Sequence, residues 1–194
     1  MAAPRTQLAT FADLLALPDD VRAEIIHGAI VEKVSATAEH AGSQLGIGGT
    51  LRHWFQRRPG GRWPGGWWFG AEIEVEYEAH EVYRHDLAGW RRDRIPDRPA
   101  GRPMRTRPDW VCEVLSPSNA KRDLVDKFQV LHANRVPHYW IADPVECTLR
   151  VHRWAPPGYV VVLTAGEADV VRAEPFEAVE LRVAALFGIE DDEE

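Results

Sequence analysis

The sequence predicts an α/β (α+β) domain, and three observations carry that prediction. The run Asp109-Trp110-Val111-Cys112-Glu113-Val114-Leu115, closed by Ser116-Pro117-Ser118, reads as a short strand buried on both faces. A repeat of three and four over residues 37–58 marks a helix, and apolar and acidic residues then alternate over 67–77 as in a half-solvated strand. A second helical stretch, from about Asn119 to Asn134, leads from the buried strand to another, His138 to Ala142.

Taken in order, residues 1–9 read as a loose leader. Thr10-Phe11-Ala12-Asp13 resembles a capping box that opens a short helix through Leu17, ended by Pro18. Glu24 to Val34 carries Ile25, Ile26, Ile30 and Val31 around His27-Gly28, the pattern of a hairpin at a sheet edge. In the helix from Thr37 to Arg58 the inward stripe is Ala41, Leu45, Gly48, Leu51 and Phe55. Gly42, Gly46, Gly48 and Gly49 each cost up to ~1 kcal/mol of helix propensity, which points to close packing on a sheet. Pro59-Gly60-Gly61 and Pro64-Gly65-Gly66 are turns. In the strand from Trp67 to Tyr77, Ile73, Val75 and Tyr77 share one face, and Glu72, Glu74 and Glu76 the solvated one. Val82 to Trp90 follows as its antiparallel partner, with Asp86 inside it.

Residues 91–107, rich in Arg and Pro, read as a mobile loop. After the buried strand, Ser118 or Asn119 is a suitable N-cap for the second helix, whose stripe is Leu124, Phe128 and Leu131, with Lys127 on the same face. Cys147 to Trp154 and Tyr159 to Leu163 pair across Pro156-Pro157-Gly158, and Val183 to Phe187 is a short helix or edge element. No repeat or linker divides the chain, so one domain is expected over 10–188, followed by an acidic tail at 189–194.

With 194 residues the chain is long enough for a substantial core. It has no apolar run near the ~20 residues of a membrane helix and no basic leader before an apolar stretch. The 2 cysteines form no Cys-x-x-Cys, so neither a zinc cluster nor a disulfide framework is indicated, and a cytoplasmic location is expected. The net charge of −7 argues against a general nucleic-acid binder. Its distribution is uneven: residues 91–107 hold seven arginines against Asp93 and Asp97, whereas 190–194 are all acidic.

Three charges interrupt apolar segments: Asp86 in one strand, Glu113 in the next, and Lys127 on the following helix. An ionised carboxylate in such a place is costly unless a metal, a cation or several donors meet it. Two carboxylates from neighbouring strands, with the main-chain carbonyl of Val114, suit a hard divalent cation, and a nearby lysine suits the orientation of water and the balance of transition-state charge. That combination is suited to Mg²⁺- or Mn²⁺-assisted phosphodiester hydrolysis.

Pro108 to Ser118, then Arg122-Asp123-Leu124-Val125-Asp126-Lys127-Phe128, then Arg135 to Pro144, resemble the Uma2 family of restriction-endonuclease-like proteins, within the PD-(D/E)XK superfamily and formerly a domain of unknown function. Asp86 to Arg92 and Glu24 to Gly28 resemble family segments too, and the similarity spans roughly residues 10 to 188. The resemblance implies a restriction-endonuclease-like core, a mixed central sheet flanked by helices, with the terminal hairpins added to it. It implies a nuclease acting on nucleic acid, with DNA the expected substrate, and with Asp86 and Glu113 as first and second acids. The superfamily lysine usually stands two residues after the second acid, where this chain has Leu115; in this family it is expected from the following helix, which fits Lys127. The residue before the first acid is His85 rather than the usual proline. His40 matches a family histidine, and adjacent Glu39 is an accessory candidate. A homodimer is expected, since cutting both strands needs two such sites.

The alternatives are specific. Glu113 is otherwise a structural carboxylate bonded to Lys127, or Lys127 pairs with Asp123 on a solvated face. Asp109, which follows Pro108, is a rival or accessory acid. Asp86 is otherwise a strand-end acid, and His40 a polar residue at a helix start. The basic loop serves solubility, or its arginines Arg91, Arg92 and Arg94 contact phosphates. At the level of function, the alternative is a catalytically inactive nuclease-like scaffold that binds a partner.

Overall fold

The structure, a computed structural model, describes residues 7–33, 35–116 and 122–189, with the backbone alone for Arg122 and Asp123. Most of the expected leader, the caps Ser118 and Asn119, the Asp123 side chain and residues 190–194 lie outside the described residues.

Helix α1 (Phe11–Leu15) opens on the expected capping box: the Thr10 N–H donates to Asp13 Oδ2 at 2.7 Å and its hydroxyl at 2.9 Å. Strands β1 (Ala23–Ile26) and β2 (Ala29–Glu32) form the edge hairpin. Its turn needs positive φ at both central residues, 51° at His27 and 75° at Gly28, the mirror-type turn that matches strand twist. A Cβ on Gly28 would also lie 2.6 Å from the Leu8 side chain.

Helix α2 (Ala38–Phe55) then precedes the long hairpin of β3 (Trp67–Glu78) and β4 (Glu81–Arg91) and the buried strand β5 (Trp110–Val114). A π-turn at Arg122–Asp126 runs into α3 (Lys127–Ala133), followed by β6 (His138–Asp143), β7 (Thr148–Arg153) and β8 (Val160–Ala165). A small pair, β9 (Val170–Val171) and β10 (Leu181–Arg182), and helix α4 (Val183–Leu186) complete the described chain.

The main sheet runs β2-β1-β4-β5-β6-β7-β8, with β3 on the other edge of β4. The β5–β6 pair is parallel and the rest are antiparallel, so the sheet is mixed. One face carries α2, α4 and the C-terminal segment, whose Phe176 is fully buried among Phe55, Trp67, Phe69, Trp110 and Trp140. The other face carries α3, packed through Val130 and Leu131 on Tyr83, Tyr139 and Ile141.

Four local readings change. The buried stripe of α2 is His40, Ser43, Ile47, Leu51 and Phe55, and Leu45 is 77% exposed. The helix turns polar residues inward at its N-terminal half, so hydrophobic periodicity alone sets its face wrongly. Close packing does occur at Gly46, where a Cβ would lie 2.6 Å from the Leu186 carbonyl oxygen. In the second helix the π-turn leaves Leu124 exposed, while Lys127, Phe128 and Leu131 face inward as expected and Val130 joins them. Glu74 is buried rather than solvated, held by Arg84 at 2.6 Å and by Arg102. The basic loop is strapped down: Arg94 binds Asp109, Arg102 binds Glu74, Arg105 binds Glu76, and Met104 hydrogen-bonds both ways with β3.

Candidate active site

The site arises where the sheet splits. Strand β3 covers one edge of β4 along its length. The other edge is shared: β1 meets it at Val82 and β5 at Leu87 to Gly89. Between those contacts this edge of β4 lacks a strand partner among the described residues, and buried backbone groups must be satisfied otherwise. Charged and polar side chains do this. The Arg84 N–H donates to Glu24 Oε1 at 2.8 Å, the Arg84 carbonyl accepts from Lys33 Nζ at 2.8 Å, and the Asp86 carbonyl accepts from Gln44 Nε2 at 2.8 Å. The fork therefore draws ionisable groups from β1, β2 and α2 to one place.

Asp86 lies in that gap. Leu87 pairs with Cys112, so the next position of each strand sets Asp86 opposite Glu113. Oδ1 of Asp86 is 3.0 Å from Lys33 Nζ; Oδ2 is 3.2 Å from His40 Nε2 and accepts from the Val114 N–H at 2.8 Å. Glu113, 1% exposed, is 3.1 Å from Lys127 Nζ through Oε2 and 2.5 Å from His85 Nδ1 through Oε1. Lys127 Nζ is also 3.1 Å from Glu24 Oε1. Behind His85, its Nε2 is 2.8 Å from the Tyr77 hydroxyl. Three carboxylates and two lysines thus share one buried cluster, with a formal charge of −1 when both histidines are neutral and all three acids ionised.

The environment sorts these groups. Burial would lift Asp86, but the His40 hydrogen bond and the charges of Lys33 and Lys127 outweigh it and hold the carboxyl well below its usual range. Burial pushes Glu113 up to about 8; Asp86 and Glu24 add to this, and Lys127 and Lys33 oppose it. Burial also acts on Glu24, yet Lys127 and Lys33 bring it below its ordinary value. Burial and the lysine charges push His85 down to about 3, so its ring is neutral. Asp86 keeps its charge while Glu113 readily holds a proton, a separation typical of chemically active carboxylate pairs.

A small pocket of about 20 Å³ opens onto Asp86, lined also by Lys33, His40, Glu72 and Ser116. That is room for about one water. The buried His40 Nδ1 has no hydrogen-bond partner among the described residues. Among the described residues no group of three or more His, Cys, Asp or Glu is placed to hold a metal ion by itself. Mg²⁺ takes one or two carboxylates and fills its shell with waters and substrate phosphate oxygens; Asp86 and Glu113 suffice in number and kind, and an ion would have to displace the protein donors their oxygens now meet.

The structure thus brings Asp86, Glu113, Lys127, His40 and the Val114 backbone together. It does not bring Asp109 to them: Asp109 stands at the other end of β5, bound by Arg94 at 2.8 Å. Glu39 is exposed in the first turn of α2, held by the Thr37 hydroxyl and its own N–H. Arg91 pairs with Asp93 at 2.5 Å, and Arg92 lies over the Trp68 ring at 3.6 Å. Sequence reasoning passed over Glu24, Lys33, Gln44, Tyr77 and His85. Glu24 and His85 carry the signature used for Glu113, a polar group inside an apolar run. Lys33 carries none, because it follows an exposed strand.

No curated protein matches this sequence. A crystal structure of a "putative nuclease belonging to DUF820" from Anabaena variabilis superposes with a TM-score of 0.73 at 20% identity, covering 92% of this chain and 97% of that one. The fold is therefore that of the Anabaena protein. Among the described residues no helix is long and apolar enough to cross a membrane. A family model described as "Putative restriction endonuclease" matches residues 9–184, and the chain belongs to that family, Uma2.

Proposed function

We propose that this protein is a divalent-metal-dependent endonuclease that hydrolyses phosphodiester bonds in nucleic acid, DNA being the expected substrate. The observation that carries this reading is the convergence of Asp86, Glu113 and Lys127 at a fork in the sheet, in a family described as nuclease-like. Asp86, Glu113 and the Val114 carbonyl would hold Mg²⁺ or Mn²⁺. The ion would supply a water of lowered pKa and neutralise charge on the scissile phosphate. Lys127 holds Glu113 in place and offers an N–H donor where charge develops on the phosphate. His85, neutral and backed by Tyr77, fixes the other Glu113 oxygen by a hydrogen bond. His40 and Lys33 fix Asp86 and keep it ionised.

The test is incubation with circular single-stranded and supercoiled duplex DNA in Mn²⁺, beside Glu113→Gln and Lys127→Ala. Cleavage by the wild type and its loss in both variants is expected. Equal cleavage by all three rejects the site assignment.

One observation favours a second reading, a scaffold that binds but does not cut. All four carboxylate oxygens of Asp86 and Glu113 already have protein partners. On that reading the wild type takes up no Mn²⁺ at millimolar concentration.

A further inference from the structure

The glycines of α2 and the arginine–tryptophan cluster remain outside the site just described. A groove of about 530 Å³ runs between α2 and β3. One end reaches Glu72 and Gln44; Glu72 also lines the Asp86 pocket, and Gln44 bonds both Glu72 and the Asp86 carbonyl. The other end reaches Arg52 and Arg98. Arg98 in turn lines a wider recess of about 880 Å³ that holds Arg58, Arg91, Arg92, Trp67 and Trp68. Adjacent spaces thus link Asp86, through Glu72, to a cationic, aromatic terminus.

Two features fit this path to a nucleic-acid strand. Gly49 faces the groove inside a helix, yet among the described residues a Cβ there would meet nothing within 4 Å. Packing does not require glycine at this position, and glycine weakens the helix. A bare surface lets a ligand backbone approach closely. At the far end Arg92 lies 3.6 Å over the Trp68 ring, and that ring is tied by its N–H to the Ile95 carbonyl at 3.1 Å. A guanidinium stacked on indole offers a flat cationic surface to an unpaired base. Over groove and recess together, Arg52, Arg58, Arg91, Arg92 and Arg98 stand against Glu72, Asp93 and Asp97. This is a net +2 on a chain of net −7.

The site is also recessed. The Asp86, Glu113 and Lys127 side chains are 3%, 1% and 1% exposed. A stiff duplex presents its phosphates on a convex cylinder, whereas a single strand bends into a cleft. Resting on the nuclease reading above, we propose that the substrate is single-stranded nucleic acid, laid in the α2–β3 groove with a base on the Arg92–Trp68 stack. Asp86 and Arg91 lie five residues apart on β4, roughly 17 Å at strand rise. This spans about five nucleotides at a rise of 3.4 Å each, and fewer if the strand is stretched.

The test is fluorescence anisotropy of the full chain with a labelled 20-nucleotide single strand, and with its duplex, in EDTA so that no cutting intervenes. Variants are Gly49→Glu, Arg98→Glu and Glu113→Gln, each checked by circular dichroism and thermal melting. The expected result is salt-dependent binding of the single strand, at least tenfold weaker for the duplex. Gly49→Glu and Arg98→Glu should each weaken it about tenfold or more; Glu113→Gln, which lies in the site itself, is kept for the Mn²⁺ cleavage comparison. No binding by the wild type, equal duplex binding, or folded groove variants that bind as the wild type does would each overturn the groove. The nuclease reading is judged separately: strand bound in the groove but uncut with Mn²⁺ defeats that reading alone, and cleavage insensitive to both groove variants defeats the groove alone.

Discussion

Replacing Lys127 by methionine removes a buried charge while keeping most of the side-chain volume. Lys127 Nζ is 3.1 Å from both Glu24 and Glu113, and the three side chains are 1–2% exposed. Removing one partner from such a cluster leaves uncompensated charge, at a cost of about 3–5 kcal/mol. For a chain of this size that lowers Tm by on the order of 10 °C. The sign of the pH dependence follows from Glu24. In the wild type its folded pKa lies below its ordinary value, so its contribution is present above that ordinary value and fades as pH falls through the folded one. Without Lys127 burial dominates and lifts Glu24 above its unfolded value. The folded variant then binds the extra proton and loses stability as pH rises. The gap between wild type and Lys127→Met should therefore be smaller at pH 5 than at pH 8, where it approaches the full amount. Urea or thermal melts at both pH values measure it. A gap equal at the two pH values, or absent at pH 8, refutes the reasoning.

Other predictions follow from the same geometry. Glu113 folds with its pKa raised to about 8, so the folded state loses stability as pH rises from its unfolded value toward 8; Glu113→Gln should melt higher than the wild type at pH 9 and much like it near pH 4. Mn²⁺ binding must displace that proton, so apparent affinity should climb up to about tenfold per pH unit below 8 and level off above it, as calorimetry in buffers of differing ionisation enthalpy will show. Lys33→Met frees Asp86 Oδ1 from a competing cation and should tighten Mn²⁺ binding in the same assay. Gly49→Ala should raise stability by ~1 kcal/mol, since its added methyl meets nothing; no gain in chemical denaturation contradicts this.

The sequence made the central trio legible for one physical reason: a charge within an apolar run is expensive, and Asp86, Glu113 and Lys127 each stand in one. The same argument extends to Glu24, in a strand buried at all four positions, and to His85, fully buried beside Asp86. Lys33 could not be found this way. It reaches Asp86 across 53 positions, and only the order β2-β1-β4 makes them neighbours. The hairpins, the buried strand and the helix that leads from it to the next strand follow from local patterns, and the structure has them; that β5 and β6 pair in parallel is seen only in the structure. The inner face of α2 was misread because its inward residues His40 and Ser43 are polar, His40 serving the carboxylate cluster rather than a greasy core. In the second helix Phe128, Leu131 and Lys127 face inward as expected, and only Leu124 was misplaced, because a π-turn leaves no mark in hydrophobic spacing. The segment 91–107 was read as a mobile loop, yet Glu74, Glu76 and Asp109 bind several of its arginines, contacts that join distant segments.

The most direct measurement is a crystal of the wild type soaked in millimolar Mn²⁺ above pH 8 and examined by anomalous scattering. The account predicts a single peak between the Asp86 and Glu113 carboxylates, beside the Val114 carbonyl, with Lys33 withdrawn from Asp86. Carboxylates still on Lys33 and Lys127, with no anomalous peak between them, would contradict it.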